Sequence, residues 1–89
     1  MDKSTISNNG QTVKEKINAM LPSFSKGQKK LAEYILGNYD TAAFLTAAKL
    51  GQKAGVSEST AVRFAMMLGY EGYPQFQEAM AVLLKKRLG

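Results

Sequence analysis

Between positions 57 and 66 the chain gathers seven side chains able to touch a ligand in one short stretch: Ser57, Glu58, Ser59, Thr60, Val62, Arg63 and Met66. Ala61, Phe64, Ala65 and Leu68 recur at helical spacing and claim the inward face. Glu58, Ser59, Val62, Arg63 and Met66 then point outward. Hydroxyls at Ser59 and Thr60 donate to phosphate oxygens or base edges, and a guanidinium such as Arg63 matches the paired acceptors of guanine or holds a phosphate. Val62 suits a thymine methyl. The plainer alternative for Arg63 is a surface ion pair with Glu58 or Glu71. Lys49 and Lys53, four residues apart, share the outer side of the preceding segment, where they either lean on a nucleic-acid backbone or form a solvated charged face. Lys26, Lys29 and Lys30 make a further basic group whose plainer reading is solubility.

The elements that must hold these residues are legible from their punctuation. Thr46 caps a short helix with Ala47, Leu50, Gly51 and Ala54 inward, and Gly55 sits where the chain needs a left-handed residue to leave it. Val56 drops one apolar side chain between helices. Ser57 is the next N-cap, Glu58 suits the positive end of the helix dipole, and Gly69 closes this second helix. Backbone amides of Ser57, Glu58 and Ser59 at such a terminus also suit a phosphate. Gly51 lets the second helix pass close over the first. Two helices joined steeply through a turn of three to four residues form a helix-turn-helix, whose second helix enters the major groove of DNA.

The remaining chain reads as further helices. Residues 1–11 are polar and have nothing to bury, which predicts a disordered lead-in before a domain spanning 12–89. Thr12 with Glu15 is a capping box, followed by the stripe Val13, Ile17, Met20 and Leu21 until Pro22 ends it. Ser25 with Gln28 opens a second helix carrying Leu31, Ala32, Ile35 and Leu36, which stops at Gly37 and Asn38. A single helical turn is expected over 41–44. Pro74 occupies a favoured first helical position, and Phe76, Ala79, Met80, Leu83 and Leu84 stripe a last helix that reaches Leu88. Tyr70 and Tyr73 flank Glu71 and Gly72 in the preceding loop, and each reads as a packing residue with its hydroxyl at the surface. Period-two alternation is missing, so the fold class is all-α with five or six helices.

Composition narrows the function classes. The 89 residues suffice for one modest core. A net charge of +5 fits a polyanion partner and equally fits many other proteins. Cysteine and histidine are absent, which removes disulfides, the usual zinc sites, thiolate nucleophiles and the commonest general base. An enzyme is not expected, nor a cofactor or metal. No apolar run is long enough to span a membrane and the polar start lacks a signal-peptide core, so the expected location is cytoplasmic. The last helix stays apolar almost to Gly89 and ends on Lys85, Lys86 and Arg87 without a clear stop, which predicts a module of a longer polypeptide.

Leu50 with Gly55-Val56-Ser57, Ser59-Thr60, Arg63-Phe64, Leu68-Gly69-Tyr70, Gly72-Tyr73 and Phe76 together resemble the N-terminal DNA-binding domain of the RpiR family of bacterial transcriptional regulators. The likeness extends upstream to Leu21-Pro22-Ser23, Ser25 and the stretch Ala32, Tyr34, Ile35, Leu36 and Asn38, covering about residues 13–84. It implies a six-helix domain that binds operator DNA, usually as a dimer, joined in full-length relatives to a C-terminal sugar-phosphate-binding domain absent from this chain. Three departures stand out. Ala61 replaces a larger branched residue and Gly51 an alanine, both expected to thin the core, and Met66-Met67 replaces a basic residue that would hold a phosphate.

The expected function is therefore sequence-specific DNA binding for transcription regulation, on an inverted-repeat operator, by a homodimer formed through terminal helices. The alternative is a helical protein-interaction or dimerisation module whose helix-turn-helix no longer reads DNA. The sparse basic content of the second helix is the best support for that alternative.

Overall fold

The computed structural model describes residues 12–88, leaving out the side chains at 83 and 85–88. The lead-in expected over 1–11 lies outside the described residues. Six α-helices follow one another: α1 (Val13–Met20), α2 (Lys26–Gly37), α3 (Tyr39–Ala42), α4 (Ala47–Ala54), α5 (Glu58–Met67) and α6 (Tyr73–Leu88), with a 3₁₀ turn Leu21–Ser23 between α1 and α2. No strand occurs among the described residues.

Both capping boxes form. The Thr12 amide donates to Glu15 Oε1 at 3.0 Å and the Glu15 amide to Thr12 Oγ1 at 3.1 Å. At the start of α2 the Ser25 amide donates to Gln28 Oε1 at 2.8 Å and the Gln28 amide to Ser25 Oγ at 3.3 Å. Each pair satisfies two amides that a helix start otherwise leaves to water. Pro74 stands at the second helical position of α6, one residue later than the spacing predicts, because Tyr73 already opens that helix.

The single turn of helix lies at Tyr39–Ala42, two residues before its expected place over 41–44. Asn38 explains the shift. Its amide and its side-chain amide both donate to the Tyr34 carbonyl, ending α2, while its own carbonyl accepts from the Ala42 amide and starts α3. Tyr39, Ala42 and Ala43 then face the core and Phe44 is left 72% exposed.

One core serves all six helices. Ile17 of α1, Leu31, Ala32 and Ile35 of α2, Leu50 of α4, Ala61, Phe64 and Ala65 of α5, and Phe76 and Met80 of α6 are completely buried. Phe64 stands at its centre. Its ring lies 5.0 Å from that of Phe24 and 6.2 Å, edge-on, from that of Phe76, which Tyr70 and Tyr73 flank in turn at 5.7 and 5.5 Å. Tilted and edge-on pairs at these separations let the positive ring edge meet the negative face.

Tyr73 corrects a sequence expectation. It belongs to the first turn of α6 rather than to a loop, it is buried, and its hydroxyl points inward to donate to the Leu45 carbonyl at 2.8 Å. Gln77 Nε2 donates to the same carbonyl at 3.0 Å, so α6 grips the segment leading into α4 at two points. Burial pushes the Tyr73 phenol up from 10.0 to about 12. Because the folded value lies above the unfolded one, this contribution to stability is whole below pH 10 and is lost as pH rises toward 12. Thermal melts between pH 9 and pH 12, roughly the range in which the free and buried phenols ionise, should fall more steeply for the wild type than for Tyr73→Phe. At neutral pH the same substitution should cost about 0.5–1.5 kcal/mol, since Gln77 still satisfies the carbonyl.

Candidate nucleic-acid interface

Helices α4 and α5 form the most extensive helix pair of the domain, and α2 packs across both. Thr46 caps α4 by accepting from the Lys49 amide at 3.2 Å. The exit is left-handed at Gly55, φ 84°, where the amides of Gly55 and Val56 both donate to the Gly51 carbonyl at 2.8 Å. Ser57 then caps α5, its Oγ accepting from the Thr60 amide at 3.2 Å and lying 3.0 Å from Thr60 Oγ1. At the far end Gly69 takes φ 101°, its amide donating to Met66 and the Tyr70 amide to Ala65. That paired pattern is a Schellman stop, and it fixes the length of α5.

Gly51 does not thin the core as expected, but it does permit the close approach expected of it, to the turn and the capped start of α5. A β-carbon there would lie 2.7 Å from the Val56 carbonyl oxygen and 3.1 Å from that of Ser57. The space is filled by the backbone of the turn. The glycine therefore sets how tightly the turn folds back on α4 and so where α5 begins.

The residues anticipated from the sequence are distributed unevenly over α5. Glu58, Ser59, Arg63 and Met66 are exposed, Met66 at 54%. Val62 is half-buried and packs against the core rather than standing clear of it. Thr60 is also half-buried: its methyl is turned toward Gly27 of α2, 3.8 Å from where a β-carbon on that glycine would sit. The side chain of Ser57 is engaged as a cap, and it too is exposed. Lys49 and Lys53 both lie exposed on α4. What the structure presents to a ligand is thus the ridge Ser59, Arg63 and Met66, with Glu58 at its start. It is the width of one helix and is backed by four fully or nearly fully buried side chains, Ala61, Phe64, Ala65 and Leu68.

Two further lysines hold aromatic rings and were not singled out by spacing. Lys16 Nζ lies 4.3 Å from the centre of the Tyr70 ring, beyond the C-terminal end of α5, and Lys14 Nζ lies 4.8 Å from the centre of the Tyr39 ring. Both are cation–π contacts that tie α1 to neighbouring elements. A lysine three or four places before no aromatic partner gives no sequence signal for such a pair. Among the described residues no group of three or more His, Cys, Asp or Glu is placed to hold a metal ion, and no helix is long and apolar enough to cross a membrane.

A short capped helix, a left-handed glycine turn and a second helix with an exposed polar ridge define a helix-turn-helix domain of the DNA-binding kind. Residues 11–87 match the model of the rpiR-family helix-turn-helix domain, and the chain belongs to that family. It is 43% identical over 60 residues to the uncharacterized HTH-type transcriptional regulator YfhH of Escherichia coli (strain K12), covering 67% of this chain and 21% of that protein. It is 39% identical over 67 residues to the HTH-type transcriptional regulator HexR of Pseudomonas aeruginosa, covering 75% of this chain and 24% of HexR. Among solved structures it resembles the Vibrio vulnificus NanR protein complexed with ManNAc-6P, with a TM-score of 0.78 and 33% identity over 84% of this chain and 29% of that one. The chain thus spans about a fifth to a quarter of the length of these curated relatives. It is a DNA-binding domain of the transcription-regulator type.

Proposed function

We propose that this domain reads an operator through α5, with Arg63 as its base-reading cation, Ser59 and Thr60 as hydrogen-bonding neighbours, Met66 and the exposed edge of Val62 in apolar contact with the groove, and Glu58 restricting which bases fit. Lys49, Lys53 and the capped start of α5 at Ser57 hold the flanking phosphates. The observation that carries this reading is the exposed ridge of α5 standing on a fully buried opposite face, which gives a rigid rod of groove width. Two copies, paired through terminal helices, place two such rods on an inverted repeat about one helical turn, roughly 34 Å, apart. Val82 of α6, 43% exposed, supplies apolar surface for that pairing.

The regulator acts in the cytoplasm, has no catalytic role, and serves genes of sugar or sugar-phosphate metabolism. Support for the last point comes from the NanR structure, whose bound ManNAc-6P is a sugar phosphate. An effector of that class binds outside these 89 residues.

Selection from randomised duplexes, followed by titration of the recovered site, tests the reading. The wild type should select an inverted repeat, and its affinity should fall by about 10³–10⁵ between 50 and 200 mM salt if the dimer makes roughly 6–10 phosphate contacts. Arg63→Ala should cost about 1–3 kcal/mol and relax the preference at one base pair of each half-site. Selection of no site, or an unchanged profile for Arg63→Ala, would overturn the reading and favour a protein-interaction module.

A further inference from the structure

The three lysines at the start of α2 do not share one environment. Gly27 faces the helix-turn-helix: a β-carbon there would sit 3.4 Å from Val56 Cγ1 and 3.8 Å from Thr60 Cγ2. Leu31, one turn on, is fully buried behind it. Rotation by about 100° per residue then separates the neighbours. Lys30 and Lys26 follow Gly27 around the helix on the side away from the core, whereas Lys29 falls on the opposite flank. There it lines a shallow cavity of about 320 Å³ with Leu21, Pro22, Glu33 and Leu36. The same construction on α5 puts Thr60 against α2 and brings Arg63 and Ser59 next around the helix toward solvent. Lys30 on α2 and Arg63 on α5 each lie about 60° around their helix from the residue at the α2–α5 contact, and Lys26 and Ser59 about 100°, so all four fall on the solvent side of that contact, and all four are exposed.

We propose that Lys26 and Lys30 bind the phosphate backbone of the same duplex that α5 enters, and that Lys29 does not. The inference rests on the reading of α5 as the groove-entering helix. It extends the interface to a third helix. Charge complementarity favours it, since α5 itself offers Arg63 as a cation beside Glu58 and lacks a basic residue at Met66 and Met67. Phosphate contacts from α2 supply positive charge that the ridge lacks. The helix start is not the binding element: Ser25 Oγ already accepts from the Gln28 amide, so the lysine side chains carry the contact.

Phosphate contacts are independent of sequence, so a duplex of about 30 base pairs with arbitrary sequence serves as the probe, titrated across a salt series. Lys26→Ala and Lys30→Ala should each flatten the slope of log K against log salt by about 0.9 for every protomer bound. Lys29→Ala removes the same charge and should leave the slope at the wild-type value. Lys30→Arg keeps a cation in place and should restore it. Equal slopes for Lys29→Ala and Lys30→Ala, whether both changed or both unchanged, would overturn the proposal while leaving the assignment of α5 intact. Failure of the wild type to bind the duplex at low salt would overturn both.

Discussion

Phe64→Ala is expected to lose about 3–5 kcal/mol, the range found when a large buried aromatic is truncated. That is enough to leave a domain of this size largely unfolded, since such domains are stable by only about 5–15 kcal/mol and small ones sit at the low end. The ring is completely buried and bridges Phe24 at the entry to α2 and Phe76 of α6, so its removal opens space between three helices that no single neighbour can close. Phe64→Leu retains most of the volume and should cost markedly less. Circular dichroism during urea unfolding distinguishes them: the alanine variant should show a midpoint near zero denaturant, the leucine variant a shifted but cooperative transition. A cooperative transition for Phe64→Ala within about 1 kcal/mol of wild type would mean that α5 is not anchored as described.

The second large effect is expected at Gly51. Glycine within a helix normally costs about 1 kcal/mol relative to alanine, so Gly51→Ala gains on local propensity. Packing decides otherwise. The new β-carbon would meet the Val56 carbonyl oxygen at 2.7 Å and two atoms of Ser57 at 3.1 and 3.2 Å, all of them backbone, which cannot swing aside as a flexible side chain would. Overpacking typically costs about 1–3 kcal/mol, and three rigid contacts place this case at the upper end. A net loss of about 2 kcal/mol is expected, or about 8–16 °C in melting temperature for a domain of this size. Moving the turn also moves the start of α5, so DNA affinity should drop even in variants that remain folded. Gly27→Ala is the matched control. Its β-carbon would touch Val56 Cγ1 at 3.4 Å, a side-chain methyl able to yield, so stability should stay near wild type or rise. A Gly51→Ala protein as stable as wild type would show that the turn has slack which an approach of 2.7 Å denies it.

The expectation that Gly51 thins the core failed for an instructive reason. A missing side chain looks like missing volume in a sequence, but the volume at this position is occupied by main-chain atoms five and six residues further along. Tyr73 and the turn Tyr39–Ala42 failed in the same way. Tyr73 reads as a loop aromatic until α6 is seen to begin on it and to place its hydroxyl under the Leu45 carbonyl, 28 positions back in the chain. Asn38 reads as a simple stop, but it also starts the next turn of helix, which pulls Tyr39 into the core.

Local chemistry alone settled most of the architecture: the capping pairs Thr12 with Glu15 and Ser25 with Gln28, the left-handed glycines 55 and 69, and the 3.6-residue stripe through Ala61, Phe64, Ala65 and Leu68. These signals act within four or five residues, through hydrogen bonds and backbone preferences that the amino-acid types themselves impose, so a linear chain displays them. Which exposed residues cooperate was decided only by packing. Lys26, Lys29 and Lys30 are equivalent in the sequence and become distinct because Gly27 seats α2 against Val56 and Thr60, which leaves Lys29 on the opposite flank beside Leu21 and Pro22. Contacts between residues about 30 positions apart depend on how helix faces meet in space, and no local preference encodes that meeting.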